Sequence, residues 1–352
     1  MFGFMEQKSG EFVGVDIGAS SIKLVALSRQ GKGYSLQAYA VVTLPAAAIN
    51  DGNIQDSEAV SEAITKALRI SGSKAVQAIT AVPSSAVITK SIQMNSAYTE
   101  RDLEDQVRIE ADQFIPYPLD EVALDFEVTG PSPLPNLNEI MVVACRKDDV
   151  EQREDVITEG GLQCLVVDVD TYTLERAVNF MLPPSEDDAP LVGVVDIGAS
   201  TLTLHVMRGD TIVYTREQAF GGNELTHSIH SQYGMSLEEV EQALRAGELS
   251  QEIHEMLVLP FRSTVVQQVS RALQFFYSSG AHSEVTRLLL AGGVANIEGL
   301  AGIIEEEVGV PSLLANPFND MAVNSKVNRV RLERDASALL KALGMAIRGF
   351  EE

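Results

Sequence analysis

Two short segments of the sequence share a pattern of residues that could bind a phosphate group. They are Val13–Ser21 and Val192–Thr201, and both contain the pentapeptide Asp-Ile-Gly-Ala-Ser after an apolar run. Glycine lets a turn come close to a ligand, and the backbone N–H groups and hydroxyls of such a turn can bind an anion. A carboxylate beside them suits hydrated Mg²⁺ next to a polyphosphate. Two such turns facing each other would hold a nucleoside triphosphate from both sides.

Each copy of the pattern predicts a β-hairpin with the pentapeptide at its tip. A second apolar run follows the turn in both copies, at Ile22–Leu27 and at Leu202–Val206, and apolar runs around a small-residue turn are typical of hairpins. A single copy is also consistent with an ordinary hairpin that has a polar turn. Two copies separated by roughly half the chain instead indicate an internal repeat, and hence two equivalent domains.

A third segment, Ala291–Leu300, has the composition of a nucleoside-binding turn. It follows the buried strand predicted for Arg287–Leu290, contains Gly292 and Gly293, and leads into a helix. A backbone without side chains can pass close beneath a flat ring such as a purine. Packing at the start of a helix would explain the glycines equally well. After two candidate phosphate turns, a nucleoside-binding role becomes the expected one.

The composition excludes several classes of protein. With 352 residues, the chain can form two or more domains with their own cores. Its net charge of −24, with acidic residues spread along the sequence, disfavours binding to nucleic acid or to anionic lipid. Cys145 and Cys164 lie far apart in apolar runs, so we expect small buried hydrophobic residues rather than metal ligands. The lack of a long apolar segment predicts a cytoplasmic location.

The order of predicted elements indicates one domain with an insertion, followed by a second domain. Three strands, a helix and a strand fill the region up to Val82, and a different α/β pattern runs from Ile88 to Ala144. The inserted region contains an acidic helix capped by Thr99, which we interpret as a solvated helix face rather than as acid–base machinery. The acidic, proline-rich segment Pro183–Pro190 is the predicted linker before the second hairpin.

The order of these motifs resembles that of the actin, Hsp70 and sugar-kinase superfamily. Within it, the chain resembles the PilM family of type IV pilus assembly proteins, which are actin-like relatives of the cell-division protein FtsA. The hairpins are specific only to the superfamily, whereas Ile115–Glu121 (IPYPLDE) and Leu273–Phe276 (LQFF) point to the PilM family itself. The similarity covers essentially the whole chain, and its other stretches are Val15–Leu24, Val167–Asp170, Leu289–Gly293, Leu314–Phe318 and Ala342–Phe350.

The resemblance implies an α/β fold of the actin-like, ribonuclease-H-like type. Duplicated domains would surround a nucleotide cleft, and an FtsA-type subdomain would be inserted in the first half. The predicted first core domain (IA) comprises residues 1–86, 158–188 and 334–352, and the inserted subdomain (1C) comprises 87–157. The predicted second core domain (IIA) comprises 190–220 and 260–333, and a small helical subdomain (IIB) comprises 221–259.

The resemblance also implies ATP and Mg²⁺ as cofactors. Asp16 and Asp196 would face the metal through water, and Lys23, seven residues after Asp16, would contact the β and γ phosphates. Taken without the motif, Lys23 would equally be a surface lysine at a strand edge. The other residues expected to bind the cofactor are Gly18, Ala19, Ser20, Ser21, Gly198, Ala199, Ser200 and Thr201 at the phosphates, Gly292, Gly293, Asn296 and Ile297 at the nucleoside, and Gly222 and Glu224 as further candidates.

Asp170 is the candidate catalytic residue. It matches the acid that helps to orient the attacking water in the superfamily. From the residues alone, a role as the N-cap of the following helix is an equal alternative. The superfamily usually has Glu or Gln at this position, so the shorter side chain implies at most weak ATPase activity.

The resemblance implies a partner at the inner membrane. Proteins like PilM bind the short cytoplasmic N-terminal tail of PilN, an inner-membrane pilus protein, in a cleft beside the inserted subdomain. Other pilus-assembly proteins of the inner-membrane platform are expected partners, and self-association is compatible with the family. FtsA ends in a basic amphipathic helix, but the last predicted helix here, Ala336–Ile347, has no basic face. We therefore expect peripheral attachment to the inner face of the membrane through partners, without direct insertion.

The sequence thus predicts a nucleotide-dependent scaffold of type IV pilus assembly, with two alternatives. One is a small-molecule kinase of the same superfamily, which needs a base on the substrate hydroxyl. Asp168 and Asp170 carry the only acidic motif that we identify for that role between the hairpins. The other alternative is a filament-forming ATPase like FtsA, which sedimentation with ATP would test.

Overall fold

The computed structural model describes residues 10–31, 33–182, 190–280 and 284–351. Residues 183–189, which make up nearly all of the predicted linker, lie outside the described residues. None of the helices in the described ranges combines the length and the hydropathy that are needed to cross a bilayer.

The described residues form strands and helices in the following order. The strands are β1 (Glu11–Ile17), β2 (Ser21–Gln30), β3 (Gly33–Thr43), β4 (Ile49–Asn50), β5 (Asn53–Ile54), β6 (Gln77–Val82), β7 (Ile88–Asn95), β8 (Val122–Pro131), β9 (Leu137–Arg146), β10 (Gln163–Val169), β11 (Leu191–Ile197), β12 (Leu202–Arg208), β13 (Thr211–Gln218), β14 (Val285–Ala291), β15 (Ser312–Leu314) and β16 (Ala322–Val323). The helices are α1 (Ser57–Ser71), α2 (Glu100–Ala111), α3 (Lys147–Glu159), α4 (Asp170–Met181), α5 (Asn223–Tyr233), α6 (Leu237–Ala246), α7 (Gln251–Ile253), α8 (Leu259–Ser278), α9 (Leu300–Val308), α10 (Arg329–Asp335) and α11 (Leu340–Arg348).

Two of the sheets have the same strand order. The first has the order β10–β6–β1–β2–β3, with the short β16 beside β3, and the second has the order β15–β14–β11–β12–β13. In each sheet the first three strands of the sequence pair antiparallel, and the two later strands run parallel to the first. The duplicated α/β fold predicted from the repeated pentapeptide is therefore confirmed.

The central strands are apolar because layers of helices cover both faces of each sheet, a pattern typical of strands inside α/β folds. On one face of the first sheet, α1 and α3 pack in a core that includes Val156 and Ile157. On its other face, α4 and α11 lie between the two sheets. Leu174 of α4, Leu343 of α11 and Val194 of β11 belong to one continuous core. The two halves of the chain thus share a hydrophobic core next to the hairpin tips.

Helix α11 is buried along almost its whole length. Its packing depends on two glycines, because a Cβ atom on Gly14 of β1 would overlap the carbonyl of Ala342, and a Cβ atom on Gly344 would overlap that of Thr173. The backbones of β1, α4 and α11 therefore touch without intervening side chains. This close contact fixes the position of α11 against the first sheet.

The predicted closing helix over Ala336–Ile347 is wrong in its first turn. Residues Ala336–Leu339 form a 3₁₀ turn, and α11 begins only at Leu340. The carbonyl of Ser337 accepts a hydrogen bond from the Gly292 N–H at 2.9 Å, and the Ser337 hydroxyl donates to the Gly292 carbonyl at 3.0 Å. These bonds to a turn of the second sheet replace a regular helical start.

The inserted region forms a sheet of its own. Its strand order is β7–β9–β8, all antiparallel, and α2 packs on it through Leu103 and Val107 against Ile140 and Val142. Helix α3, by contrast, packs in the core of the first sheet. The division into four parts remains a prediction, and we propose to end the inserted part at β9 rather than at residue 157.

The helical region after the second sheet's hairpins is divided by glycines. Helix α5 ends at Gly234 and α6 ends at Gly247, both in the left-handed conformation with φ near 69° and 70°. Left-handed glycine is a common helix terminator because it carries no Cβ atom. A π-helical turn, His254–Val258, joins α7 to α8.

Replacing Gly344 with alanine is expected to destabilise the fold by about 3 kcal/mol, because the new methyl group would overlap the backbone of α4. The matched control is Gly302→Ala in α9, where no heavy atom lies within 4 Å of the added Cβ. That change should instead stabilise the protein by about 0.5–1 kcal/mol. Urea unfolding monitored by circular dichroism measures both values. Equal unfolding midpoints for the two variants would contradict the packing of α11.

Candidate functional site

A cavity of about 760 Å³ lies where the two hairpin tips approach each other. Its walls also include the start of α11, one side of α6 and part of α10. Nearly all the residues that the sequence analysis selected for cofactor binding meet here. Those that line the cavity are Asp16, Gly18, Ala19, Ser20, Ser21, Lys23, Asp196, Gly198, Ala199, Ser200, Thr201, Gly222, Gly292, Gly293, Asn296 and Ile297.

Two selected residues lie apart from this lining. Glu224 is exposed on α5, outside the cavity. Asp170 is the first residue of α4, whose N-cap is Val169, and it is not part of the cavity lining. One carboxylate oxygen of Asp170 accepts a hydrogen bond from the Ser84 N–H at 2.8 Å. Asp170 thus binds the backbone of another segment instead of capping its own helix.

The two hairpin tips are built in the same way. In the first tip the Gly18 N–H donates to the Ser21 carbonyl at 3.1 Å, and in the second the Gly198 N–H donates to the Thr201 carbonyl at 2.9 Å. Each closing bond joins residues three positions apart, so the tight turn follows from the local sequence alone. The hydroxyl-bearing residues of both turns line the same cavity.

The cation beside each aspartate comes from a different place in the two halves. Lys23 is the cross-strand partner of Asp16, and its Nζ lies 3.0 Å from Asp16 Oδ2. The cross-strand partner of Asp196 is Thr203, which carries no charge. There the cation is Lys341 from α11, with its Nζ 2.9 Å from Asp196 Oδ2.

Lys341 also contacts the candidate catalytic residue. Its Nζ lies 3.2 Å from Asp170 Oδ2, so one ammonium group bridges two carboxylates. The sequence analysis missed this residue. One feature could have identified it: Lys341 is the only charged residue in the predicted last helix, Ala336–Ile347, and lysines in buried segments are almost always paired.

Burial and pairing act in opposite directions on these groups. Burial raises the pKa of Asp196, but the charge and the hydrogen bond of Lys341, together with the nearby His205 and Lys23, outweigh burial, so the pKa lies below its usual value. Burial lowers the pKa of Lys341, but the carboxylates of Asp196, Asp170 and Asp16 together raise it well above its usual value. At neutral pH the contact between Lys341 and its carboxylates is therefore an ion pair.

The charges at this end of the cavity nearly balance. Three carboxylates (Asp16, Asp170 and Asp196) face two ammonium groups (Lys23 and Lys341), which leaves one net negative charge. No cluster of three or more His, Cys, Asp or Glu side chains among the described residues could hold a metal ion by itself. Magnesium in proteins is commonly bound by one or two carboxylates together with phosphate oxygens and water. Asp16 and Asp196 therefore fit Mg²⁺ only when it arrives with a polyphosphate.

The glycine-rich turn after β14 approaches the second hairpin closely. Gly292 has a φ of +86°, and a Cβ atom there would lie 2.7 Å from Asp196 Oδ1. Glycine is therefore required at this position by both conformation and space. The Asn296 side-chain amide donates to the Ser337 hydroxyl at 2.6 Å, which ties the turn to the start of α11. A Cβ atom on Gly293 would meet no atom within 4 Å, so its backbone is open toward the cavity.

The walls that α6 and α10 contribute to the cavity have polar residues that the sequence analysis did not identify. Arg245 of α6 pairs with Asp335 of α10 at 3.0 Å. Glu241 of α6 accepts a hydrogen bond from the Thr226 hydroxyl at 3.3 Å, and burial raises the pKa of Glu241. In the sequence these residues belong to charged amphipathic helices, which look like solvated surface. Only their arrangement around the cavity gives them a candidate role in binding.

Comparison with known proteins agrees with this architecture. Residues 14–350 match the family model described as type IV pilus assembly protein PilM. A solved PilM-PilN type IV pilus biogenesis complex contains a chain with 27% sequence identity and a TM-score of 0.78, and the match covers 98% of this chain and 100% of that one. The ethanolamine utilization protein EutJ from Carboxydothermus hydrogenoformans shares the fold, with 17% identity and a TM-score of 0.56 over 95% of this chain and 88% of that one.

His205 predicts a specific pH dependence of stability. Burial lowers its pKa from 6.5 to about 4, aided by the nearby charge of Lys341, while Asp196 and Asp170 oppose the shift. Because the folded state keeps the imidazole neutral, its contribution to stability is complete above pH 6.5 and is lost as the pH falls toward about 4. Between about pH 7.5 and about pH 5, this group alone should lower the free energy of unfolding by about 2 kcal/mol.

The control for this prediction is His205→Asn, which keeps a polar group near the Thr215 hydroxyl, 3.0 Å from the His205 Nδ1. Urea unfolding at both pH values gives the difference for each protein. The variant should lose about 2 kcal/mol less than the wild type, since it has no imidazole to protonate. The same pH dependence in both proteins would disprove the assignment.

Proposed function

Because the chain belongs to the PilM family of type IV pilus assembly proteins, we propose that it binds Mg-ATP between its two sheets and acts as a nucleotide-dependent scaffold. In this proposal the protein lies at the inner face of the inner membrane, where it is held by partners. The proposed nucleotide binding rests on one observation: two equivalent hairpin tips line the same cavity.

The residues at the tips have the chemistry that a triphosphate needs. Backbone N–H groups and hydroxyls of the two turns can donate hydrogen bonds to phosphate oxygens. Lys23 and Lys341 supply positive charge at the same end of the cavity. Magnesium, bound with the nucleotide, would neutralise further phosphate charge. The open backbone at Gly293 leaves room for the nucleoside to lie against it.

Replacing Asp196 with asparagine is expected to weaken Mg-ATP binding by about tenfold or more, which corresponds to about 1.4 kcal/mol for loss of one charged contact. Asp320→Asn is the matched control, because Asp320 is exposed and outside the cavity lining. Isothermal titration calorimetry with Mg-ATP measures both affinities. A wild type that binds no nucleotide, or equal affinities in the two variants, would refute the proposed site.

The environment of Asp170 argues for slow hydrolysis. One of its carboxylate oxygens is held by the Ser84 N–H at 2.8 Å, and its side chain does not line the cavity, so it is poorly placed to orient a water molecule at the γ-phosphate. A protein loaded with Mg-ATP and freed of excess nucleotide should therefore retain ATP intact over hours. Rapid release of ADP that disappears in Asp170→Asn would instead make this chain a true ATPase with Asp170 as its catalytic residue.

The kinase alternative gains no support from the geometry. A transferase needs a carboxylate that can reach the hydroxyl of its substrate. Asp168 pairs with Arg176 at 3.0 Å. Asp170 accepts a hydrogen bond from the Ser84 N–H and does not line the cavity. We therefore favour the scaffold over phosphoryl transfer.

We further propose that the inserted region binds the cytoplasmic tail of PilN, as the relative in the PilM-PilN complex suggests. A groove of about 670 Å³ runs between α2 and β8. Strand β8 is at the edge of its sheet, and an edge strand can accept an extended peptide through backbone hydrogen bonds. Exposed Val128 and the half-buried Phe126 offer apolar contacts in this groove.

The charge of the groove suits such a tail. Four acidic residues line it against one basic residue, Arg108; the acidic ones are Glu100, Glu104, Asp125 and Glu127. Cytoplasmic segments next to membrane-spanning helices are enriched in lysine and arginine. An acidic groove would therefore attract a basic tail by charge complementarity.

Reversing one of these charges tests the groove. Glu127→Lys is expected to weaken binding of a synthetic PilN-tail peptide by about tenfold, since it replaces attraction with repulsion. Glu306→Lys on α9 is the control, because it gives the same change in net charge at an exposed site outside the groove. Fluorescence anisotropy of the labelled peptide gives both affinities. Identical weakening in the two variants would place the tail elsewhere.

A further inference from the structure

The two hairpin tips are equivalent in backbone but not in charge. At the first tip, the lysine that pairs with Asp16 is part of the hairpin itself. At the second tip, the corresponding cross-strand position is Thr203, and the cation is supplied by Lys341 of a distant helix. Because Lys341 lies outside the repeated hairpin, the repeat does not explain why this lysine lies beside Asp196.

We propose that Lys341 is a tethered cation that occupies the metal position beside Asp196 in the nucleotide-free protein, so that a divalent metal enters only together with a nucleotide. This inference rests on the proposed nucleotide site. In this inference Lys341 acts before any nucleotide is present, by holding the Asp196 carboxylate in an ion pair. When a triphosphate enters, its oxygens attract the ammonium group away from the carboxylates and leave Asp196 free to face the metal.

The geometry of Lys341 matches that of a bridging cation. Its Nζ lies 2.9 Å from Asp196 and 3.2 Å from Asp170. The two carboxylates come from different halves of the chain, since Asp170 begins α4 after the first sheet's β10 and Asp196 lies in β11 of the second sheet. A positive charge held 2.9 Å from Asp196 Oδ2 occupies the side of this carboxylate that a metal facing Asp16 and Asp196 would need.

The charge balance supports the same conclusion. With Lys341 in place, the three carboxylates Asp16, Asp170 and Asp196 face two ammonium groups, for a net charge of −1. Without it they face only Lys23, for a net charge of −2. Removal of Lys341 therefore turns a nearly neutral cluster into one that attracts a divalent cation.

Lys341 can move without rearrangement of the helix that carries it. Its side chain lines the cavity and retains 24% of its exposure. Lysine is a compact charge on a flexible four-carbon stem, so rotation of the stem can carry the ammonium from the carboxylates toward the cavity. The backbone of α11 meanwhile stays fixed by its contact at Gly344.

Binding of Mn²⁺ in the absence of nucleotide tests this role. Electron paramagnetic resonance of Mn²⁺, a substitute for Mg²⁺ with similar oxygen ligands, measures the bound fraction for the wild type, Lys341→Met and Lys23→Met. We expect the wild type and Lys23→Met to bind Mn²⁺ only weakly. Lys341→Met should bind about one Mn²⁺ per chain with at least about tenfold higher affinity, because two carboxylates lose their shared cation.

Lys23→Met is the matched control because it removes the same charge from the same cavity but leaves the bridge of Lys341 intact. Equal Mn²⁺ affinity in the two variants would overturn the proposal, since the gain would then reflect net charge alone. Lys341→Gln repeats the test with a polar side chain in case the methionine variant does not fold. Tight Mn²⁺ binding by the nucleotide-free wild type would overturn the proposal whatever the variants do.

The proposed nucleotide site and the proposed role of Lys341 can be refuted separately, because different measurements test them. A wild type that binds no Mg-ATP refutes the proposed nucleotide site, whereas the metal titrations contain no nucleotide. A gain of nucleotide-free Mn²⁺ binding that is specific to Lys341→Met is the result that supports the tethered cation.

Discussion

The burial of α11 between the two sheets is the constraint on which the candidate site depends. The helix contributes to a core shared by both halves of the chain, and Gly14 and Gly344 bring its backbone into contact with β1 and α4. A helix packed this closely cannot slide or rotate without overlap. Lys341, in the first turn of α11, therefore starts from a fixed point and reaches Asp170 and Asp196 with its side chain alone.

The two halves of the chain have equivalent hairpin tips, but the pairing of their charges differs. A half-buried carboxylate needs a partner, because an unpaired buried charge is strongly destabilising. The first hairpin meets this need locally through Lys23. In the second hairpin, Asp196 pairs with Lys341 of α11, a helix that packs against the first sheet. Asp196 is therefore tied to the other half of the molecule. The pairing of Asp196 thus connects the two halves at the point where a nucleotide would enter.

The sequence predicts those parts of the site whose conformation depends on residues close together in the chain. Hairpin register and turn closure depend on residues a few positions apart, so the repeated pentapeptide was enough to predict the tips and the duplicated fold. The contact of Lys341 with Asp170 spans 171 positions, and that of Arg245 with Asp335 spans 90. Such pairs arise from the packing of helices, which single-sequence patterns do not encode. The same reason explains the misplaced start of α11, where Ser337 bonds to a distant turn.

The contacts of Asp170 give the proposed nucleotide site a physical connection to the proposed partner groove. Asp170 accepts a hydrogen bond from the Ser84 N–H, and the short turn Ser84–Ala86 leads directly into β7 of the inserted region. If a nucleotide draws Lys341 away, Asp170 keeps its hydrogen bond with the Ser84 N–H at the base of that region. Nucleotide and tail would then act on one shared element, and linkage requires that each change the other's affinity by the same factor. A scaffold whose shape depends on nucleotide needs such a shared element, and in the proposed function Asp170 would be that element.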